Sequence, residues 1–331
     1  MQQKVRWAVV GTSDFALDWI ARGIRLGGNS TLAAVVSRDA ERAAASAQRV
    51  GAPQSYTSIE AIDPTIVDGV FLVLPNEQHA PFAIAAAQHH LHVVGEKPMA
   101  PTLAECDAMI AAARTSGVML AVAHCMEWAP PVAKARELVA SGAIGEVISA
   151  TITASFNSPP SGRWRQSDST EAGGGPLFDM GVHAIDAITR IVGPIERVAA
   201  YLDGRVHAYA TEDTATLLLR FASGAHGVVQ SHYNCQQNAL EIQGSAGRIW
   251  SSAWWGRDFA GDLHVQLGSE VTDFTLPQVN VYVPQIEHLS ACALSGELPI
   301  ISGQRGRANI AVIRAAIESA RSGTAVAVAH A

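Results

Sequence analysis

The chain has 331 residues, of which 48% are hydrophobic and only 16% charged, a composition typical of globular rather than disordered proteins. A net charge of −7 without any basic stripe argues against a nucleic-acid partner, because phosphate binding needs concentrated Lys and Arg. The cysteines form no CxxC pair, so we expect no zinc site and no disulfide framework. No apolar run reaches the roughly 18 residues of a membrane helix, and no signal-peptide pattern is present, so we expect a cytoplasmic protein without a membrane partner.

The first part of the chain alternates short apolar strands with helices. The predicted strands cover residues 4–10, 31–36, 69–74, 92–95 and 118–123, and the predicted helices cover 14–26, 39–50, 80–89 and 102–116. The strands are apolar throughout rather than alternating, which is typical of a parallel sheet covered on both faces. We therefore predict an α/β fold with a doubly wound, NADP-binding Rossmann domain over residues 1–125.

The pattern changes in the second part. A long strand is predicted over 145–156, a loop over 157–175 and a helix over 176–192. Further strands are predicted over 195–202, 214–221, 225–233, 239–243 and 263–275, and two last helices over about 284–295 and 304–321. These elements predict an α+β domain over residues 126–331 with an open, mostly antiparallel sheet, for substrate binding and oligomerisation. The final helices, about 284–321, are candidates for packing back on the first domain.

The first strand ends in a G-x-S-x-x-A loop that begins at Gly11, where dinucleotide-binding folds carry G-x-G-x-x-G. Gly11 can make the tight turn and Ala16 keeps the helix close to the strand, whereas Ser13 replaces the glycine next to the pyrophosphate. The following helix N-terminus offers a positive end for phosphate. By itself the loop is equally typical of a first βα turn in other doubly wound proteins.

The end of the second strand indicates the cofactor. Sites that prefer NAD place an acid here to accept both ribose hydroxyls, but this chain has Ser37 and Arg38, with Arg42 one turn later. Serine and arginine can donate to a 2′-phosphate, which a carboxylate would repel. The sequence thus favours NADP(H) over NAD(H), although Asp39 could still reach a ribose and a plain surface arginine is the alternative.

Polar residues that could do chemistry follow other strands of the predicted parallel sheet. Lys97 stands at a strand end and could donate to a carbonyl oxygen, although a solvated surface lysine is the alternative. Asp179 and His183 are four residues apart on a predicted helix, so they share a face, and the carboxylate can orient the imidazole. The alternative is a structural helix pair, with Asp186 as a further carboxylate.

The loop before this helix is also unusual. Trp164 beside Arg165 offers an apolar platform with a hydrogen-bonding fork, which suits a sugar ring or a nicotinamide. Three consecutive glycines, Gly173–Gly175, suggest a close approach of backbone to a ligand. A flexible surface loop is the alternative.

These residues together resemble the glucose–fructose oxidoreductase/inositol dehydrogenase family, over essentially the whole chain. The matching features are the Gly11 loop, Asn76 with His79, Glu96-Lys97-Pro98, and Asp179 with His183. The resemblance implies hydride transfer between NADP(H) and a carbonyl or hydroxyl of a sugar-like substrate. It also implies Lys97, Asp179 and His183 as catalytic residues, a cis bond before Pro98, and dimers or tetramers formed through the C-terminal sheet.

The resemblance and the motifs together give a broad set of expected cofactor contacts. They are Gly11, Thr12, Ser13, Asp14, Phe15, Ser37, Arg38, Arg42, Val73, Leu74, Pro75, Asn76, Glu77, Gln78, His79, Glu96, Lys97, His124, Trp164, Arg165 and Tyr282. Three other functions stay open: an NAD(P)-dependent sugar or inositol dehydrogenase, a non-catalytic dinucleotide-sensing regulator of the same fold, and a glycosidase with tightly bound NAD. Intact Lys97, Asp179 and His183 argue against the regulator, and Ser37-Arg38 against an NAD-dependent glycosidase.

Overall fold

The computed structural model describes residues 3–330, which form two compact units. The first unit runs to Ala123 and adds Tyr282–Arg307; the second takes His124–Val281 and the residues from Ala308 onward. Within residues 3–330, no helix combines the length and the apolar character that crossing a membrane requires.

The first unit is built on a parallel sheet of six strands in the order β3-β2-β1-β4-β5-β6. The strands are β1 Val5–Val10, β2 Ser30–Val36, β3 Gln54–Tyr56, β4 Gly69–Leu72, β5 His92–Gly95 and β6 Leu120–Val122. Strands β1 and β4 are almost wholly buried, as expected for a sheet covered on both faces. The chain order reverses between β1 and β4, and doubly wound folds bind ligands at the carboxyl edge of such a point.

Helices connect these strands. A π-helical turn, Ala16–Ala21, continues into α1 Arg22–Leu26; the others are α2 Ala40–Val50, α3 Asn76–Gln88 and α4 Leu103–Ser116. Helix α4 begins with a capping box: Thr102 Oγ1 accepts from the Glu105 amide at 3.2 Å, and the Thr102 amide donates to Glu105 Oε2 at 3.0 Å.

The second unit contains a sheet of nine strands in the order β15-β14-β12-β11-β7-β10-β9-β8-β17. Only the β7–β10 pair in this sheet is parallel among the described residues. The helices of this unit are α5 Pro130–Ala140, α6 Trp164–Ser167 and α7 Val182–Val192, which the π-helical turn Leu177–Gly181 precedes. The strands of this sheet are β7 Val147–Ser155, β8 Ile195–Asp203, β9 Thr214–Phe221, β10 His226–His232, β11 Gln237–Gly244, β12 Gly247–Ser251, β14 Leu263–Leu267, β15 Glu270–Phe274 and β17 Val326–Ala327. Two further strands, β13 Asp258–Phe259 and β16 Val279–Asn280, form a separate antiparallel pair.

Two long helices end the chain, α8 Tyr282–Ser295 and α9 Gly303–Ser322. Helix α8 is part of the first unit, where the buried indole of Trp7 donates to Ser290 Oγ at 2.9 Å. The residues of α9 up to Arg307 belong to the first unit, and the rest of the helix belongs to the second.

The structure corrects several predicted elements. The segment 263–275 is a hairpin of β14 and β15, because Gly268, with φ +59°, reverses the chain. Helix α3 begins at Asn76 rather than Ala80, so that Pro81 lies inside it. Elements β3, β12 and α5 lie outside the predicted ones; β3 has only three residues, all partly or fully exposed, and so carries no apolar signal.

Candidate active site

A cleft of about 470 Å³ lies at the carboxyl edge of the first sheet, next to the reversal point between β1 and β4. The structure brings many of the predicted cofactor contacts together there: Gly11, Thr12, Ser37, Arg38, Arg42, Val73, Leu74, Pro75 and Gln78. Because these residues follow β1, β2 and β4, the parallel topology alone places them along one edge.

The loop after β1 makes a tight turn against the ends of β2 and β4. Gly11 has φ +115°, its amide donates to the Val36 carbonyl at 3.0 Å, and a Cβ there would overlap the Val73 carbonyl. Only glycine fits such a position. Ser13, which replaces the second glycine of the usual fingerprint, uses its Oγ to accept the Ala16 amide at 3.2 Å and so caps the following helix. The residues of this loop therefore fit a dinucleotide phosphate at the helix start.

The end of β2 presents basic and hydroxyl groups to the cleft. Ser37, Arg38 and Arg42 all line it, and Arg42 Nε donates to Ser37 Oγ at 3.3 Å. Asp39 is the N-cap of α2, where its carboxylate accepts the Arg42 amide at 2.8 Å. One oxygen of this carboxylate, Oδ1, is thereby engaged at the start of the helix.

The other predicted residues of this loop lie beside the cleft. Asp14 forms an ion pair with Arg49 at 3.0 Å. The Phe15 ring meets the ring of Tyr282 edge to face, with 5.7 Å between centroids. Phe15 and the distant Tyr282 are therefore neighbours within the first unit, which no local pattern in the sequence could show.

The segment after β4 combines cleft-lining and supporting residues. Gln78 lines the cleft, whereas His79 is fully buried. The two ring nitrogens of His79 lie 2.8 Å from the Pro98 carbonyl and 2.9 Å from the Leu74 carbonyl. His79 thus links the segment after β4 to the segment after β5. Asn76 is buried at the start of α3, and Glu77 is exposed in its first turn.

Glu96 and Lys97 follow β5. Glu96 is buried, and the Lys97 amide donates to its Oε2 at 3.3 Å. The Lys97-Pro98 peptide bond is cis, as the family resemblance implies. The Lys97 side chain is half-buried, so it is held close to the sheet edge and is still reachable by a ligand.

In the second unit, Asp179 receives two side-chain contacts from distant elements. It lies on the π-helical turn before α7, and Tyr233 donates its hydroxyl to Asp179 Oδ2 at 2.8 Å. Arg165 Nε lies 3.4 Å from Asp179 Oδ1, and the Arg165 guanidinium stacks 4.4 Å above the Trp164 ring. Asp179, Trp164 and Arg165 are therefore brought together. His183 follows in the first turn of α7 and is 8% exposed.

His124, one of the predicted cofactor contacts, lies among buried polar side chains. It is fully buried in the second unit, where Asn309 Nδ2 lies 3.1 Å from its Nε2 and Asp186 Oδ2 lies 3.9 Å from its Nδ1. Asn309 also donates to Asp186 Oδ1 at 2.8 Å. These three side chains form a buried polar cluster, to which Asp186 contributes its carboxylate.

Two glycines of the run Gly173–Gly175 pack closely against other parts of the chain. A Cβ on Gly174 would overlap the Asp168 carbonyl, and one on Gly175, at φ +88°, would overlap the Glu212 carboxylate. Glu212 accepts the Leu177 amide at 3.2 Å and hydroxyl hydrogen bonds from Thr170 and Thr211. Burial raises the pKa of this carboxyl group above its ordinary value. Gly174 and Gly175 thus let the chain pack closely against the Asp168 carbonyl and the Glu212 carboxylate, and the approach of a ligand to this loop stays a prediction.

Some cleft and site residues were missed by the sequence analysis. Thr57, Ser58 and Glu60 line the first-unit cleft after the unpredicted strand β3, and Phe82 lines it from α3. Tyr233 was missed as well, although it extends the alternation of buried residues along β10 to a strand end, where a buried hydroxyl needs a partner.

Two family models match the chain. One, described as an oxidoreductase family with an NAD-binding Rossmann fold, matches residues 5–124, and the other, a GFO/IDH/MocA C-terminal domain, matches residues 132–250. Together they cover both the cleft after β1 and the turn that holds Asp179.

Similar proteins are known along the full length. The chain is 28% identical to the 1,5-anhydro-D-fructose reductase of Ensifer adhaerens, over 97% of both chains. It is 29% identical to D-xylose 1-dehydrogenase (NADP(+)) 2 of Haloferax volcanii, over 97% of this chain and 98% of that one. Among solved structures, the aldose-aldose oxidoreductase from Caulobacter crescentus is 30% identical, with a TM-score of 0.92 over 98% of this chain and 100% of that one.

Proposed function

Because the chain belongs to the Gfo/Idh/MocA oxidoreductase family, we propose that it is an NADP(H)-dependent enzyme that interconverts a carbonyl and an alcohol on a sugar or sugar-like molecule. The observation that supports this most is the cleft after β1, β2 and β4, which combines a phosphate loop with basic residues. The first domain, residues 1–125, binds the cofactor, and the second, residues 126–331, supplies substrate-binding and acid–base groups. When bound, the nicotinamide provides or accepts the hydride.

The cofactor preference rests on the end of β2. Ser37, Arg38 and Arg42 offer donors to a 2′-phosphate, and Oδ1 of Asp39 caps α2. Glu60 also lines the cleft, and hydrogen bonds from its own amide and from Ser58 lower its pKa, so one acid remains charged there. We place the 2′-phosphate beside Arg38 rather than Glu60, since like charges repel.

Arg38→Ala tests this placement. Loss of a charged donor to the phosphate weakens NADPH binding by about 10- to 100-fold, whereas NADH binding changes little. Arg25→Ala, an exposed arginine at the end of α1, is the matched control and should bind NADPH like the wild type. Equal loss of NADPH and NADH affinity in Arg38→Ala would contradict the preference.

The proton chemistry is assigned to three side chains. His183 donates a proton to the substrate oxygen during reduction and takes it back in the reverse direction. Asp179 orients the imidazole, and Lys97 polarises the oxygen. Lys97→Ala and His183→Ala should each lower turnover sharply and leave NADPH binding intact. Full activity in Lys97→Ala would rule out this mechanism.

The substrate class follows from the relatives, which are named for anhydrofructose, xylose and aldoses. The stacked Trp164–Arg165 pair supports it, because an apolar ring with a guanidinium fork suits a polyhydroxylated ring. The Gly11 loop, Ser37, Trp164-Arg165 and the run Glu171–Gly175 resemble 1,5-anhydro-D-fructose reductase, so 1,5-anhydro-D-fructose is the first candidate. A panel of anhydro-sugars, dicarbonyls, inositols and aldoses, with NADPH or NADP⁺, identifies the substrate and the direction; no turnover with any of them would favour a dinucleotide-sensing regulator.

We also propose a homodimer or homotetramer formed through the second-unit sheet. Tyr201, Leu218 and Val271 are 75%, 54% and 51% exposed and lie on the side of the sheet away from its buried residues. Apolar side chains of this size on one face are typical of an interface. Leu218→Glu should give monomers in light scattering, whereas wild-type monomers would contradict the proposal.

Finally, we propose a cytoplasmic location, because Cys106, Cys235 and Cys292 are free thiols, as a reducing compartment keeps them. Fractionation of cells that express the protein tests this location. Recovery outside the cytoplasm would contradict it.

A further inference from the structure

We infer that Tyr233 is a positioning residue for the reaction, and that it fixes the Asp179 carboxylate through the hydrogen bond from its hydroxyl to Oδ2. The inference rests on the function proposed above, in which Asp179 orients the acid–base histidine. Asp179 and Tyr233 are 54 residues apart in the chain, and the contact joins the turn before α7 to the end of β10.

Tyr233 is rigid enough for this task. It follows β10 directly and is 1% exposed, in line with the buried face of that strand. Its amide donates to the Asp213 carbonyl at 2.9 Å, and its carbonyl accepts the Ser158 amide at 2.8 Å. Its ring packs against Phe156, with 5.1 Å between centroids. With the backbone and the ring both held, the hydroxyl has one position, and the carboxylate that accepts from it is fixed too.

The same strand also holds the turn that bears Asp179. Ser231, two residues before Tyr233 and on the same face of β10, donates its hydroxyl to the Pro176 carbonyl at 2.8 Å. The two residues therefore hold the main chain just before the π-helical turn and the carboxylate within it. Single π-helical turns are rare and occur frequently at functional sites.

The two oxygens of Asp179 are held differently. Oδ2 accepts from buried Tyr233, whereas Oδ1 lies 3.4 Å from Arg165, whose side chain is 36% exposed and can move with a ligand. Burial, followed by the charge of Asp179, raises the pKa of Tyr233 far above its ordinary value, so the hydroxyl keeps its proton and donates it to the carboxylate in a hydrogen bond. A permanent donor favours the charged carboxylate, which is the form that can orient an imidazolium.

The experiment is the pH dependence of kcat in Tyr233→Phe, which keeps the ring and removes only the donor. We expect kcat near neutral pH to fall by about 10-fold, and the acid limb to move up by about 1 pH unit, since the charged carboxylate loses a hydrogen bond. The NADPH dissociation constant should stay within about twofold of the wild type, because no change occurs in the first unit. Tyr209→Phe is the matched control: its hydroxyl bonds to Gln166, and its ring belongs to the same aromatic cluster.

A second variant keeps the test valid should Tyr233→Phe fail to fold. A fluorinated tyrosine at position 233 preserves the shape and is a stronger donor, so the acid limb should move down. An unchanged acid limb in either variant, or the same shift in Tyr209→Phe, would overturn the inference. Asp179→Asn separates the role of Tyr233 from the proposed function. If Asp179→Asn is inactive while Tyr233→Phe keeps the wild-type pH profile, only the role of Tyr233 fails. Full activity in Asp179→Asn would contradict the proposed function itself.

Discussion

Asp179 and Glu212, both in the second unit, accept hydroxyl hydrogen bonds in contrasting settings. Asp179 is partly accessible, with its side chain 14% exposed, and has a phenol on one oxygen and a guanidinium near the other. Glu212 is buried, and Thr170, Thr211 and the Leu177 amide surround it. A cation and an accessible edge suit a carboxylate to chemistry, whereas neutral donors and burial suit it to joining chain segments.

The largest expected difference between Asp179 and Glu212 is in their effect on turnover. Asp179→Asn should lower kcat/KM by about 10³-fold, because the amide cannot carry the charge that orients His183. Glu212→Gln should leave kcat/KM within about threefold, since a glutamine can accept the Leu177 amide and donate to the threonine hydroxyls. Initial rates of NADPH oxidation on both purified variants measure this.

Thermal unfolding and NADPH titration of the same two variants provide the control. Both should retain the fold and the cofactor affinity of the wild type. Equal losses of turnover in the two variants would show that the distinction between a reactive and a structural carboxylate is wrong.

A smaller effect is expected at Asp213, next to Glu212. Burial alone would raise the Asp213 pKa, but the amides of His207, Arg205 and Val206 outweigh it and lower the pKa to about 2. A depressed folded-state pKa stabilises the fold above the unfolded value of 3.8, and this stability is lost as the pH falls toward about 2. Asp213→Asn should therefore cost about 1–3 kcal/mol at neutral pH, measured by urea unfolding, and much less at pH 2. A cost that does not change with pH would contradict this assignment.

The smallest effect concerns the pH dependence of stability at Glu212. The folded-state pKa of Glu212 is raised above the ordinary 4.5. Its contribution to the stability of the fold is therefore greatest below that pH and declines as the pH rises through the raised value. Glu212→Gln lacks this decline, and its stability relative to the wild type should increase from pH 4 to neutral pH. Urea midpoints across this range test the sign, and a relative decrease would contradict it.

The cleft in the first unit and the site around Asp179 in the second unit differ in how far the sequence predicts them. The cleft residues Gly11, Ser37 and Arg38 were predicted because each follows a parallel strand, and the strand order alone brings such residues together. The capping box of Thr102 and Glu105 is equally accessible to sequence reasoning, since the two residues are only three apart. Both features depend on neighbours in the chain or on the regular order of the strands.

The site around Asp179 in the second unit depends on contacts between residues that are far apart in the chain. The spacing of Asp179 and His183 indicated a pair on one helix, but nothing local linked Asp179 to Tyr233, 54 residues away. The close packing of Gly175 could not be predicted for the same reason, because its partner, the Glu212 carboxylate, is distant in sequence. Thr57, Ser58 and Glu60 were missed since β3 is short and polar.

The most direct test of the central claim is NADPH oxidation by the wild type and Asp179→Asn over the panel of anhydro-sugars, dicarbonyls and aldoses. We expect the wild type to turn over at least one sugar-derived carbonyl with NADPH in preference to NADH, and Asp179→Asn to bind NADPH normally but react about 10³-fold more slowly. Turnover by Asp179→Asn at the wild-type rate, or a wild type that binds NADPH and reduces no member of the panel, would contradict the account.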